Sequence, residues 1–134
     1  MGYAPRVDRM DQRDLRVLGC LESSLRVSWD ARGDDVVVRV AGEIDLSTAG
    51  VLDSALRRAM TAAVPGTRLI VDLNEVEFLG VTGLRKLRTA CEECRRCEVV
   101  LMVVAANEEV THPVHALGME TVLELRAQLP ESRA

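Results

Sequence analysis

Aromatic side chains are nearly missing from this sequence. Its 134 residues include one tryptophan, one tyrosine and one phenylalanine. Proteins that bind single-stranded nucleic acid stack bases on aromatic rings, and nucleic-acid-binding surfaces carry a surplus of cations. Here 17 Lys and Arg stand against 21 Asp and Glu, for a formal net charge of −4. The basic residues are interspersed with acidic ones, so we expect them on solvated faces and expect no direct binding to nucleic acid.

The chain also lacks the long apolar stretch that a membrane-spanning helix requires. No apolar run reaches the ~18 residues that cross a bilayer. The N-terminal segment MGYAPRVDRMDQRDLR has no charged-then-apolar signal pattern. We expect a cytoplasmic protein that does not enter a membrane.

Motifs of cofactor-dependent and hydrolytic enzymes are missing as well. The segments GEIDLSTAG and GVTG have neither the glycines nor the lysine of phosphate-binding and dinucleotide-binding loops. The two histidines, His112 and His115, lie in one weakly helical segment, where we expect them on the surface. No Ser or Cys has the context of a hydrolase nucleophile. We predict no enzymatic activity, no cofactor and no metal site.

Apolar residues make up 48% of the chain, which is enough to build the core of one domain without disulfides or metals. Residues 1–14 are polar, charged and without periodicity, so we predict a flexible leader there. The predicted domain occupies residues 15–134.

Strand-like apolar runs recur along this domain. Alternating residues from Ser24 to Trp29 and an apolar run from Val36 to Gly42 flank the turn-like segment DARGDD, which predicts a β-hairpin. Two more buried strands are predicted at Arg68–Leu73 and Glu98–Ala106.

The segments between these strands repeat apolar residues at helical spacing. One helix is expected to start behind Asp45 or Ser47 as its capping residue and to run to Ala63. A second is expected from Thr82 through TGLRKLRTACEECRR. Strands that alternate with helices imply a mainly parallel sheet. The predicted fold class is α/β, with a mixed, mostly parallel sheet of four to five strands covered by α-helices.

The segments after the last buried strand have weaker helix and strand patterns. A short helix is expected after Asn107 as its cap, with Gly118 ending it. Because a proline clashes with the carbonyl four residues earlier, Pro113 predicts that this helix is kinked or starts late. Residues Thr121–Leu125 are predicted to add a final strand.

Thr82 stands between a predicted strand end and a predicted helix start, in the segment EFLGVTGLRKL. The first amide groups of a helix have no internal partner and carry partial positive charge. The Thr82 hydroxyl is therefore either a plain N-cap or an acceptor of phosphate, whose negative charge such a helix start stabilises.

Two segments together resemble a known family. GEIDLSTA after one strand and VDLNEVEFLGVTGLRKL after the next are similar to the two motifs of the anti-sigma factor antagonists, the STAS-domain proteins of bacterial stress and sporulation regulation. The family's first motif is G-E-L-D followed by a small residue and Thr, and its second motif is V-D-L, a few residues, and then D-S-S/T-G-L. The likeness runs from about Ser24 to Ala134. Gly80 and Val81 stand in place of the family's aspartate and first serine.

The resemblance implies a single STAS-like domain that captures an anti-sigma factor, often a serine/threonine kinase, and thereby frees a sigma factor. Thr82 matches the residue that the kinase phosphorylates to end the capture. We expect a monomer or weak dimer. The implied partner-binding residues are Asp45, Ser47, Thr48, Gly80, Val81, Thr82, Gly83, Leu84 and Arg85.

Four cysteines support a second hypothesis, a sensory or interaction module controlled by redox state or by a ligand instead of phosphorylation. Cys91, Cys94 and Cys97 are spaced three apart in CEECRRC, and Cys20 lies elsewhere. Residues three apart on a helix advance by ~300°, so these thiols do not converge on one metal or cluster. Cys91 and Cys94 then belong to the buried stripe of the helix, and Cys97 falls at its end. A disulfide among them, or to Cys20, is the redox alternative.

Overall fold

The computed structural model describes residues 25–131. The predicted leader at residues 1–14 and the redox candidate Cys20 lie outside the described residues. The elements follow one another as β1 Leu25–Arg32, β2 Asp35–Ile44, α1 Ala49–Ala62, β3 Arg68–Leu79, α2 Val81–Arg96, β4 Val100–Val104 and α3 Glu108–Ala116.

The strands form one four-stranded sheet in the order β1-β2-β3-β4. β1 and β2 are antiparallel, whereas β3 runs parallel to both β2 and β4. Gly33 and Asp34 join the hairpin, and Gly33 has a φ of 65°, which tight hairpin turns favour. The predicted hairpin and the mixed, mostly parallel sheet are confirmed.

The main core lies between the sheet and the helices. Side chains of α1, α2 and α3 pack in one cluster with Val38, Val71 and Val103 from the strands. On the opposite face of the sheet, Val37 and Ile70 form a smaller buried cluster with further apolar residues. β2 is therefore buried on both faces, as its continuous apolar run predicts.

β3 extends six residues beyond its predicted end and contains two irregularities. Its register against β2 shifts opposite Arg39–Ala41 and again opposite Gly42–Glu43. Each shift adds a residue to β3, so its buried side chains Leu73, Val76 and Leu79 are spaced three apart instead of two. The predicted end at Leu73 is wrong because simple alternation stops there while the strand continues.

α1 and α2 lie within one residue of the predicted helices. α1 ends at Ala62 instead of Ala63, and α2 starts at Val81 instead of Thr82. Within the part of the chain that the structure describes, no helix combines the length and the apolar character needed to cross a bilayer.

Asn107 precedes α3 as predicted, but its side chain does not cap the helix. The side-chain nitrogen of Asn107, Nδ2, donates hydrogen bonds to the carbonyls of Leu73 and Val76, at 3.2 and 2.8 Å. These two bonds hold the irregular part of β3. α3 begins at Glu108 and includes Pro113, so the predicted late start is wrong. Pro113 lacks the amide that would bond to the carbonyl four residues earlier. The alternative, a kinked helix, stays a prediction.

Gly118 ends α3 as predicted. Its φ of 66° lies in the left-handed region. Its amide bonds to the carbonyl of His115 at 3.0 Å, and the amide of Met119 bonds to the carbonyl of Val114 at 2.9 Å. This pair of bonds is the usual glycine-ended helix terminus. His112 and His115 are exposed, as expected.

The predicted final strand at Thr121–Leu125 is wrong. Residues 120–124 form turns, and Glu124 has a φ of 48°, which an extended strand does not allow. A single isolated bridge between Val104 and Arg126 continues the sheet. Leu123 is buried in the core from this turn, so its apolar character reflects packing and not strand pairing.

A buried ion pair joins the first residues of β2 and β3. Asp35 is buried and accepts hydrogen bonds from the Arg68 backbone amide at 3.1 Å, from Nε at 3.0 Å and from Nη2 at 2.6 Å. Arg68 Nη2 also donates to the carbonyl of Glu131 at 2.9 Å. The expectation that arginines occupy solvated faces is therefore wrong for Arg68.

Candidate functional site

The carboxyl ends of β2 and β3 bring the two sequence motifs together. Ile44 pairs with Leu79 in the parallel ladder. One residue further, the amide of Gly80 donates to the carbonyl of Ile44 at 2.9 Å. The loop of residues 45–48 therefore lies beside the start of α2.

Asp45 organises this loop through its carboxylate. Its Oδ1 accepts hydrogen bonds from the Ser47 hydroxyl at 2.8 Å, the Ser47 amide at 3.0 Å and the Thr48 amide at 3.1 Å. The bond from the Ser47 hydroxyl, with those from the two backbone amides, holds the pKa of Asp45 below its usual value. The N-cap of α1 is Thr48, so the prediction that Asp45 or Ser47 caps this helix is wrong. Asp45 instead binds the amides of the two residues that precede the helix.

Thr48 supports the loop from inside. Its side chain is buried, and its hydroxyl donates to the carbonyl of Glu43 at 2.8 Å and accepts from the amide of Asp45 at 2.9 Å. A buried side chain held in this way shapes the loop.

Thr82 lies in the first turn of α2 and is not its N-cap. The N-cap is Gly80, with extended backbone, and no side chain caps the helix. The Thr82 side chain is partly exposed, and its hydroxyl makes no hydrogen bond to any of residues 25–131. The plain-cap interpretation is therefore wrong, whereas the phosphoacceptor interpretation stays a prediction.

The start of α2 has amide groups that no group of the helix neutralises. Its first intrahelical bond runs from the Leu84 amide to the Gly80 carbonyl at 3.1 Å, so the amides before Leu84 have no partner within the helix. No acidic side chain lies in the first turn. The partial positive charge of this helix end is therefore not offset by a carboxylate of the helix itself.

Gly83 lets α2 approach the end of β2 closely. A Cβ at this position would lie 2.4 Å from Ile44 Cγ2 and 2.9 Å from Leu79 Cδ1. Leu84, the next residue, is buried in the core. These two predicted partner-binding residues therefore position the helix, while Asp45, Gly80 and Thr82 are partly exposed and Ser47, Val81 and Arg85 are exposed.

Adding a methyl group at Gly83 is expected to destabilise the protein. Gly83→Ala should lower the free energy of unfolding by about 1–2 kcal/mol, because the cost of overpacking exceeds the helix propensity gained. Gly50→Ala is the matched control on α1, since a Cβ there meets nothing within 4 Å. It should raise stability by about 0.5–1 kcal/mol. Urea denaturation of both variants measures the difference, and equal stability would contradict the close approach.

Exposed apolar side chains near Thr82 were missed by the sequence analysis. Leu46 is 80% exposed, Phe78 is 52% exposed and Val81 is 53% exposed. Leu46 belongs to the loop of residues 45–48, Phe78 to the end of β3 and Val81 to the start of α2. Of these, Val81 was predicted only through its motif position. Apolar residues in a strand–loop–helix segment usually signal core, so the sequence alone carried no signal for their exposure.

The cysteines of α2 divide as the helical spacing predicts. Cys91 and Cys94 are buried, and Cys97 is exposed at the helix end. Burial raises the pKa of Cys91 and raises that of Cys94 to about 12. The Cys91 thiol donates to the carbonyl of Val122 at 3.2 Å. Within residues 25–131 these thiols are free, and no group of three or more His, Cys, Asp or Glu is placed to hold a metal ion.

Thiol labelling is expected to separate the three helix cysteines. With iodoacetamide at pH 7, Cys97 should react at least about 10-fold faster than Cys91 or Cys94, because the thiolate is the reactive form and burial suppresses it. Peptide mass mapping of the native protein gives the three rates, and the denatured protein is the control. Rapid labelling of Cys94 would contradict its burial and favour the redox hypothesis.

Known sequences resemble most of this chain. A family profile described as STAS domain matches residues 26–132. The anti-sigma-F factor antagonist RsfB of Mycobacterium tuberculosis is 34% identical over 96 residues, which cover 72% of this chain and 76% of RsfB. The anti-sigma-F factor antagonist RsfA of the same organism is 26% identical over 103 residues, covering 77% of this chain and 80% of RsfA.

Solved structures share the fold. The crystal structure of an anti-sigma factor antagonist from Mycobacterium paratuberculosis matches with a TM-score of 0.72 and 31% identity, covering 79% of this chain and 88% of that one. The anti-sigma factor antagonist SpoIIAA in its unphosphorylated form matches with a TM-score of 0.61 over 78% of this chain and 89% of its own. Its 14% identity supports the fold alone.

Proposed function

The chain belongs to the STAS domain family of anti-sigma factor antagonists, and from this premise we propose that it binds an anti-sigma factor and thereby frees a sigma factor. The proposed contact is the Thr82 surface, which we define as Asp45, Leu46, Ser47, Phe78, Val81, Thr82 and Arg85. Thr48, Gly80, Gly83 and Leu84 hold these residues in place.

The geometry of Thr82 carries this proposal. Its hydroxyl is partly exposed and has no hydrogen bond among the described residues, although it stands where two motifs meet. A hydroxyl that neither caps its helix nor fills the core has no structural role to explain it. A partly exposed polar group at a helix start is accessible for recognition by another protein.

We propose that phosphorylation of Thr82 ends the capture, and that the anti-sigma factor itself is the serine/threonine kinase. The Thr82 oxygen would attack the γ-phosphorus of ATP, ADP would leave, and the hydroxyl proton would pass to a base of the kinase. The phosphate would add about −1.5 to −2 charges beside the open amides of α2, which stabilise it. The exposed apolar side chains beside Thr82 would then have to be buried against a partner together with that charge, which opposes docking.

The same surface supports a binding role in preference to catalysis. Among residues 25–131 the histidines lie on α3, at exposed positions. The carboxylate of Asp45 is committed to amides and a hydroxyl of its own loop. We propose that the chain supplies the phosphate acceptor and the docking surface, while the partner supplies the catalytic groups.

Binding to purified anti-sigma factors tests the proposed function. The full chain is titrated into each anti-sigma factor of its own genome, and calorimetry measures the dissociation constant. The proposal expects one partner in the micromolar range or tighter, and release of its sigma factor from the complex as the chain is added. Absence of binding to every anti-sigma factor would contradict the proposal.

A further inference from the structure

Exposed apolar residues are concentrated at the Thr82 surface. Across residues 25–131 the large hydrophobic side chains with high exposure are Leu46, Val64, Phe78, Val81, Val100, Leu117 and Val122. Scattered single apolar residues are normal on a protein surface, whereas a group at one place marks an interaction site. Three of these seven, Leu46, Phe78 and Val81, belong to the Thr82 surface.

The register of the sheet places these three side chains at one corner. Leu46 and Val81 each lie two residues beyond the paired positions Ile44 and Leu79. Phe78 pairs with Glu43, one step before them. A Cβ on Gly80 would lie 3.2 Å from the Phe78 ring, so the ring lies against the backbone that enters α2. All three residues thus lie within two positions of Ile44 or Gly80, whose backbone groups are hydrogen-bonded to each other.

Charges of opposite sign border this corner on its two sides. On the helix side, Arg85 and Lys86 make no ion pair or hydrogen bond among the described residues. On the strand side, the carboxylates of Glu43 and Glu77 are likewise exposed and unpaired within that part of the chain. Unpaired charges beside an apolar centre match the usual anatomy of a binding interface, with its apolar core and polar rim.

We infer that Leu46, Phe78 and Val81 are the apolar anchor that binds the anti-sigma factor, and that Arg85 and Lys86 select a partner with carboxylates on the side facing α2. The occupant is a folded protein surface with an apolar cleft, with acidic residues on the side that faces Arg85 and Lys86 and basic residues on the side that faces Glu43 and Glu77. This inference rests on the proposed function and adds the residues that supply affinity and specificity. It also explains the switch, since the phosphate would sit at the rim of the apolar anchor next to those carboxylates.

Serine substitutions with matched controls test the anchor. Leu46→Ser, Phe78→Ser and Val81→Ser are each expected to weaken binding of the purified anti-sigma factor by about 30-fold or more, as at a binding hot spot. Val64→Ser and Leu117→Ser are the controls, because these residues are 56% and 53% exposed but follow the C-terminal ends of α1 and α3. They should leave the dissociation constant within about 2-fold.

Reversing the charge of Arg85 tests whether the partner has acidic residues on the side that faces α2. Arg85→Glu should weaken binding by about 10-fold or more and reduce its salt dependence, whereas Arg96→Glu at the far end of α2 should do neither. Circular dichroism and the melting temperature of each variant confirm that it is folded.

The possible results separate this inference from the proposed function. If the wild-type chain binds an anti-sigma factor and the three serine variants bind equally well, the apolar anchor is overturned while the function stands. Equal losses in the controls, or self-association of the free chain that Leu46→Ser abolishes, would also overturn it. If the wild-type chain binds no anti-sigma factor, both proposals fail.

Discussion

Thr82→Glu is expected to weaken binding of the anti-sigma factor by about 100-fold or more. A carboxylate in the first turn of α2 places a negative charge next to the apolar side chains of the Thr82 surface, and docking would bury that charge without a partner. Burying an unpaired charge at an interface costs about 2–5 kcal/mol, which corresponds to a loss of about 30-fold to a few thousand-fold, and the expected 100-fold loss lies within this range. The fold itself should be preserved or slightly stabilised, because an acidic residue favours a helix start.

Thr89→Glu is the matched control, since Thr89 is an exposed threonine two turns further along the same helix. It should bind like the wild type. Thr82→Val keeps the shape of the side chain and removes the hydroxyl, so it should still bind the anti-sigma factor but accept no phosphate when the complex is given ATP. If Thr82→Glu bound the anti-sigma factor as tightly as the wild type, the charge at this position would have no effect on binding.

Asp35→Ala is expected to lower the free energy of unfolding by about 3 kcal/mol. Asp35 is buried and bonds the guanidinium and the backbone amide of Arg68. Removing one partner of a buried ion pair leaves the other charge in the protein without compensation, which typically costs 3–5 kcal/mol. The lower end applies here because the Arg68 side chain is 15% exposed and keeps its bond to the Glu131 carbonyl.

Asp30→Ala is the control for this prediction. The Asp30–Arg39 pair is long, at 3.9 Å, and its side chains are about half exposed. Exposed pairs contribute little, so this variant should lose less than about 1 kcal/mol. Urea denaturation gives both values. An unchanged slope of the unfolding free energy against urea concentration would show that the substitution changes only stability. A loss of under 1 kcal/mol for Asp35→Ala would contradict the structural role of the ion pair.

The sheet and helices were predictable where one period dominates the sequence. The apolar runs at Val36 and Arg68 start strands as expected, and the stripe that contains Leu87 and Cys91 is the buried face of α2. Burial imposes these periods directly, because each buried face must be apolar at the spacing of its element.

Predictions failed where tertiary contacts override the local pattern. The irregular half of β3 spaces its buried residues three apart, which neither strand nor helix templates describe. The turn that buries Leu123 has the composition of a strand. The role of Arg68 depends on Asp35, a residue 33 positions away, so no local reading of either residue reveals the pair.

The candidate site was found through two motifs and corrected through geometry. The resemblance pointed to Thr82 and Asp45, and the structure brings their segments together at the ends of β2 and β3. It also separates the exposed residues of the motif from Thr48, Gly83 and Leu84, which are buried. Leu46 and Phe78 add an apolar element that depends on three-dimensional exposure and therefore has no sequence signature.

Hydrogen exchange of the backbone amides, in the free chain and in its complex with the anti-sigma factor, tests the docking surface most directly. Slower exchange in the complex is expected for residues 45–48 and 78–85. No change is expected at residues 63–67, which precede β3 at the opposite ends of the parallel strands. Protection confined to residues 63–67, to α3 or to the outer face of the sheet, with unchanged exchange around Thr82, would contradict the account.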